Sequence, residues 1–257
     1  MSRINDAVGT LNPDQVRQVL ASAERAPAVH HLRPWRFHCT KTTIELLLDL
    51  PEGPWGQDDD HREAWVACGA ALLNLRLAIR SCGIEPVVHL LPDMGRPSLL
   101  ASVEIDGRRP TTKDGLELSV AIGLLDTDTE RFEKAVLPEA LIVELRYAAR
   151  IEQAWIALLP PADLPSLHEF VDETGDAKLL DPAGHVLVVG TLQDDPTSRL
   201  RAGQAMQRVL LTATKSDLST CFISLAPGLR TSRQHLRQLI GGGIWPQALL
   251  QIGRMAA

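Results

Sequence analysis

Ala67-Cys68-Gly69-Ala70-Ala71-Leu72-Leu73-Asn74-Leu75-Arg76-Leu77 and Arg201-Ala202-Gly203-Gln204-Ala205-Met206-Gln207-Arg208-Val209-Leu210-Leu211 repeat one pattern of small and apolar residues. The offset is constant, 203 − 69 = 134. The stretch from Gly69 to Ile79 is apolar nearly all round, which marks a helix buried at the centre of a domain. A second echo lies upstream of each: Leu11-Asn12-Pro13-Asp14-Gln15-Val16 matches Val136-Leu137-Pro138-Glu139-Ala140-Leu141. Both opening helices lead to a strand that carries tryptophan, Trp35 and Trp155. Self-similarity at a fixed offset signals a duplicated unit. We read an α+β chain in two halves, 1–110 and 111–257, related by a pseudo-two-fold axis, with the cleft between them as a natural ligand site.

Local signals give the elements. Asn12 caps a helix that has Pro13 in its first turn, and Val16, Val19, Leu20 and Ala23 share one face of it. Trp35–Cys39 and Thr43–Leu50 form a hairpin. Asp60 followed by Glu63 reads as the start of a helix over 62–81, and the acids around it as helix-start residues. Strands are expected at 87–91 and 100–105, then a polar connector at 106–118 and a short helix at 116–124. The second half reads as helix 138–149, strand 155–159, helix 164–171, strand 186–191, central helix 201–216, strand 221–224, helix 231–240 and strand 248–252. Gly241-Gly242-Gly243 follows a helix and lacks the Lys-Ser/Thr of a phosphate loop, so it reads as a helix stop.

The halves differ most between opening helix and tryptophan. The first half takes 35 − 13 = 22 residues there, the second 155 − 138 = 17. The surplus is Arg25-Ala26-Pro27-Ala28-Val29-His30-His31-Leu32-Arg33-Pro34-Trp35-Arg36-Phe37, the densest concentration of chemistry in the chain. His30 and His31 have no carboxylate or cysteine at ligand spacing, so no metal site is expected.

Composition narrows the class. At 257 residues and 45% hydrophobic, the chain can bury a sizeable core. A net charge of −6 opposes a nucleic-acid footprint. No apolar run reaches the roughly 20 residues that span a bilayer, and Met1-Ser2-Arg3-Ile4-Asn5-Asp6 lacks the apolar core of a leader. Cys39, Cys68, Cys82 and Cys221 lack Cys-x-x-Cys spacing and read as free thiols, so a cytoplasmic setting is expected.

The repeat and the loop together resemble the nitroreductase superfamily, and most specifically its Acg type, in which one chain mimics a nitroreductase dimer. Ala26-Pro27-Ala28-Val29-His30-His31-Leu32-Arg33-Pro34-Trp35 is similar to the motif A-P-S-x-H-N-x-Q-P-W of that group. Residues 201–214 resemble its second central helix, and Trp245 to Arg254 its terminal strand. The resemblance implies FMN between the halves and NAD(P)H as electron donor to a nitro compound or quinone, with the protein positioning the flavin and tuning its electronics. It implies cofactor contacts from Ala26, Pro27, Ala28, His30, His31, Arg33 and Trp35, and Arg25, Arg131, Arg201 and Arg254 are the candidate cations to substitute at the phosphate.

This chain departs from that pattern in three places. Ala28, His31 and Arg33 replace Ser, Asn and Gln. Leu125-Asp126-Thr127-Asp128-Thr129 stands where an R-x-T-x-R-like pattern suits the flavin phosphate, and carboxylates there oppose an anion. The lid is shortened, at about residues 160–185. Together these favour a diverged relative that binds a flavin or another small molecule, or is catalytically silent. The alternative is an FMN-dependent NAD(P)H oxidoreductase. A duplicated chain can stand as a monomer, and a shortened lid can expose apolar surface that a second copy covers, giving a homodimer.

Overall fold

Two long helices cross at the centre, and each anchors one antiparallel sheet. The computed structural model describes residues 6–27, 33–50, 61–127, 131–167, 181–223 and 230–255. In the first half, α1 (Pro13–Ala23) precedes β1 (Trp35–Cys39), β2 (Thr43–Leu48), α2 (Arg62–Ser81), β3 (Pro86–Leu90) and β4 (Leu99–Ile105). Helix α3 (Lys113–Leu124) leads to the second half: β5 (Phe132–Glu133), α4 (Glu139–Ile151), β6 (Trp155–Leu158), β7 (His185–Thr191), α5 (Pro196–Lys215), β8 (Ser219–Ile223), α6 (Arg230–Leu239) and β9 (Trp245–Met255).

The strand orders are the same. One sheet runs β1-β2-β4-β3; the other runs β6-β7-β9-β8, with β5 added at the end of β9. All the pairings are antiparallel. In each half an opening helix (α1 or α4) comes first, a tryptophan starts the edge strand, and the central helix (α2 or α5) joins the second strand to the third. The expected duplication is therefore present in the topology.

The offset of 134 marks where the halves meet. A Cβ placed on Gly203 would lie 2.8 Å from Val66 C and 2.9 Å from Gly69 Cα, and deep inside contact with Val66 O. One on Gly69 would lie 2.9 Å from Gly203 Cα and inside contact with Leu200 O. The contact is reciprocal, since 200 − 66 is also 134. Only glycine lets two helix backbones approach this closely. Leu72, Leu75, Ala205 and Val209 are fully buried in the same core.

Capping explains several boundaries. Asn12 Oδ1 accepts from Gln15 N (2.9 Å), and Gln15 Oε1 accepts from Asn12 N (3.0 Å), a complete capping box. After α6, Gly241 and Gly242 turn the chain at φ 87 and 75, and their amides reach Gln238 O and Arg237 O, so the triple glycine is a helix stop.

Other boundaries differ from expectation. Helix α3 starts at Lys113, because Thr112 Oγ1 accepts from Gly115 N (3.1 Å). Helix α5 starts at Pro196, with Asp195 Oδ1 accepting from Ser198 N (2.7 Å), not at Arg201. Strand β9 starts at Trp245, and β5 was not expected at all. Asp60 lies outside the described residues; the N-cap of α2 is His61, in the left-handed region at φ 49 and without a side-chain cap bond.

Candidate functional site

The first expected site residue, Arg25, follows α1 and reaches across the seam between the halves. Its Nε donates to Ile122 O (3.2 Å) and its Nη2 to Gly123 O (2.9 Å). It thus caps the C-terminal turn of α3, where carbonyls lack helix partners and a cation is favoured. Leu125 and Asp126 come directly after that turn, and Asp126 O accepts from Thr220 Oγ1 on β8 (3.0 Å). The fold therefore brings Arg25 beside the end of α3, next to Leu125 and Asp126. Ala26 and Pro27 are buried there. Arg33 is largely exposed and faces Glu24 at 3.6 Å. Ala28, His30 and His31 lie outside the described residues, as do Asp128 and Thr129.

Trp35 lies on a second feature. An open cleft of about 910 Å³ runs between α1 and the outer edge of β1, within the roughly 300–1,000 Å³ range of ligand pockets. Leu20, Trp35 and Phe37 give it apolar walls, while Glu24, Arg36 and Asp49 add charge. Arg36 and Asp49 pair at 3.0 Å across the hairpin. Trp35 is buried, and its Nε1 has no hydrogen-bond partner among the described residues. An unpaired buried donor costs about 1–3 kcal/mol, so an acceptor that reached it would be favoured. His38 lines the cleft too and meets Glu45 Oε2 at 3.1 Å. The bond from Arg96, then that from His38, holds the Glu45 carboxyl below the usual range despite partial burial. Cys39, at the same edge, is pushed up by burial, so its thiol stays protonated and unreactive.

The remaining expected cations are apart from this cleft. Arg201 is half-buried on α5, and Arg254 is exposed on β9 with Glu133 as its cross-strand neighbour. Neither lines the cleft, and neither do Arg25 and Arg33. Among the described residues no group of His, Cys, Asp or Glu could hold a metal ion, and no helix is long and apolar enough to cross a membrane.

Sequence reasoning missed a buried ionic cluster. Glu152, just past α4, accepts from Arg208 Nε (2.9 Å) and Nη2 (2.7 Å) through Oε1, and from Arg76 Nη1 (2.6 Å) through Oε2. Arg76 Nη1 also donates to Gln204 Oε1 (2.6 Å), and Gln207 Nε2 donates to Asn74 Oδ1 (2.9 Å). Burial pushes the Glu152 carboxyl up, but the charges of Arg76 and Arg208 outweigh it and leave it below the ordinary value. Polar residues interrupting two central helices were the available signal. Their partner, Glu152, carried none.

No family model matches the chain. It is 26% identical over 302 residues to "Putative NAD(P)H nitroreductase Rv3131" of Mycobacterium tuberculosis, covering 96% of this chain and 88% of that protein. It is 25% identical over 294 residues to "Putative NAD(P)H nitroreductase acg" of the same organism, covering 93% and 89%. Among solved structures, a nitroreductase with bound FMN from Bacteroides fragilis superposes on 55% of this chain and 89% of its own, at 12% identity and a TM-score of 0.46.

Proposed function

We propose that this chain, similar over nearly its whole length to Acg-type nitroreductase-like proteins, is a diverged relative that binds a flavin or another small molecule without conventional FMN-dependent reduction. The observation that carries this reading is the engagement of Arg25. Its guanidinium is held by two carbonyls at the end of α3, and the residues beyond that end are Leu125 and Asp126. A flavin phosphate needs arginine, lysine or free helix N-terminal amides. Here it would meet the C-terminal end of a helix, whose partial charge is negative. Arg33 faces Glu24, and Arg254 lies opposite Glu133. The described residues at this seam do not fit the phosphate.

What the chain offers instead is a separate cleft between α1 and β1. Leu20, Trp35 and Phe37 give that cleft apolar walls, an arrangement suited to a planar molecule. The second reading, an FMN-dependent NAD(P)H oxidoreductase, is favoured by the names of the relatives matched along 96% and 93% of the chain.

The visible spectrum of the purified protein, followed by FMN titration, separates the two. Weak or absent FMN binding, with no NAD(P)H-dependent reduction of quinones or nitroarenes, is the expected result. Flavin bands or micromolar FMN binding, together with NAD(P)H oxidation by quinones or nitroarenes, would establish the second reading. Restoring the cations with Leu125→Arg and Thr129→Arg should raise FMN affinity; no gain would refute this account of the phosphate end.

A further inference from the structure

The cleft between α1 and β1 runs along a strand edge, not over a sheet face. Five consecutive residues of β1, Trp35, Arg36, Phe37, His38 and Cys39, all line it. Successive side chains of a strand point to opposite faces, so one cleft meets all five only along the edge. The opposite wall is one face of α1, where Arg17, Leu20, Ala21 and Glu24 follow the helical spacing i, i+3, i+4, i+7.

That edge is open. β1 is the end strand of its sheet and pairs only with β2 among the described residues. Asp49 N donates to Pro34 O (3.0 Å) and Thr40 N to Thr43 O (2.9 Å), so the even-numbered residues along β1 bond to β2. The N–H and C=O groups of Trp35, Phe37 and Cys39 therefore point away from β2, toward the cleft. They recur at every second residue, roughly 6.7 Å apart. A backbone group left unpaired away from water costs about as much as a lost hydrogen bond. A planar ring covers the apolar walls but leaves most of this row unpaired, whereas another strand pairs all of it.

We propose that the cleft takes a short peptide in extended form, added to the outer edge of β1 as a further strand. The inference rests on the reading of this cleft as the ligand site and names the ligand's class. The five residues of β1, at about 3.4 Å each, give an edge of about 17 Å, which holds about five residues of peptide. In strand addition the main-chain bonds supply affinity and alternate side chains supply choice. Trp35, Phe37 and Cys39 pack on the core, while Arg36 and His38 on the other face pair with Asp49 and Glu45. Directly opposed residues share a face, so the peptide should alternate apolar and polar side chains. A second copy of β1 does not fit, because its own α1 stands over the edge that would have to pair.

Random heptapeptides displayed on phage and selected on the full chain supply the probe. The selected peptides should alternate apolar and polar residues, and synthetic copies should bind saturably by calorimetry. N-methyl groups on alternate amides separate strand addition from apolar adhesion. Methylating one alternate set should weaken binding roughly 30-fold, for two lost bonds, and methylating the other should change it less than about threefold. Ala21→Trp, at an exposed position in the α1 wall, should fill the cleft and abolish binding with an unchanged circular dichroism spectrum. Gln18→Trp, exposed on α1 outside the cleft, should bind as the parent does. FMN titration reads the α3 end of the seam and stands apart from these results. A selection that yields no alternating peptide, equal effects of the two methylated sets, or full binding by Ala21→Trp overturns the proposal.

Discussion

Replacing Gly203 with alanine tests the central contact of the fold. In an ordinary helix interior this change is favourable by about 1 kcal/mol, since alanine is the best helix former and glycine among the worst. Here the added Cβ lies 2.8 Å from Val66 C and 2.9 Å from Gly69 Cα. Carbon atoms pack at about 3.5–4.0 Å, so α2 and α5 must separate by at least about 0.7 Å. The obstructing atoms are backbone, so no rotamer change relieves the clash. Separation loosens the whole seam at once, because the helices share one core. Overpacking of this kind costs about 1–3 kcal/mol and more where neighbours cannot move. Net destabilisation should therefore be about 2 kcal/mol, the upper end of that range less the propensity gain because the obstructing atoms are backbone, read as a lower urea midpoint at constant slope. Gly69→Ala should behave alike. The double variant should cost less than the sum of the two, because one displacement relieves both clashes. A Gly203→Ala variant as stable as the parent, or strict additivity with Gly69→Ala, would refute the reciprocal close approach.

Two further substitutions probe the frame. Glu152→Gln leaves Arg76 and Arg208 without a counter-charge in a buried setting and should cost about 3 kcal/mol near neutral pH. The native carboxyl lies below its unfolded value, so its contribution is present above about pH 4.3 and lost as pH falls through the folded value. Urea midpoints should thus differ widely between parent and variant at neutral pH and converge in acid; a gap independent of pH would count against the ion cluster. Asn12→Ala removes the capping box of α1 and should lower stability by about 1 kcal/mol, checked by thermal melting; an unchanged melting temperature would mean that the cap contributes nothing.

What was legible in the sequence was local or repeated. The Asn12 cap, the hairpin after Trp35, the glycine stop after α6 and the offset of 134 each depend on a few neighbouring residues or on comparing the chain with itself. Boundaries set by one threonine or aspartate were misplaced, as at Thr112 and Asp195, because a lone capping residue inside a polar connector carries little signal. The site suffered from distance. The acceptors of Arg25 lie 97 and 98 residues downstream, and nothing in the loop foretells that backbone carbonyls hold its guanidinium. Glu152 was equally silent, since its arginines lie 76 and 56 residues away.

The central seam shows why a duplicated chain can keep its frame and lose its symmetry. Gly69 and Gly203 are equivalent positions with the same task, because two helix backbones cannot meet there if either side carries a Cβ. Backbone geometry leaves those positions no alternative. The side-chain layer around them is under no such constraint. At the same offset Asn74 corresponds to Arg208, Ala70 to Gln204 and Arg76 to Leu210. One carboxylate, Glu152 of the second half, gathers a guanidinium from each central helix. An ionic knot of that kind can form once but not twice, since the symmetry-related position has no second arginine to offer. The opening helices differ in the same way: the outer face of α4 carries Val143 and Tyr147, where α1 has Gln18 and Ser22.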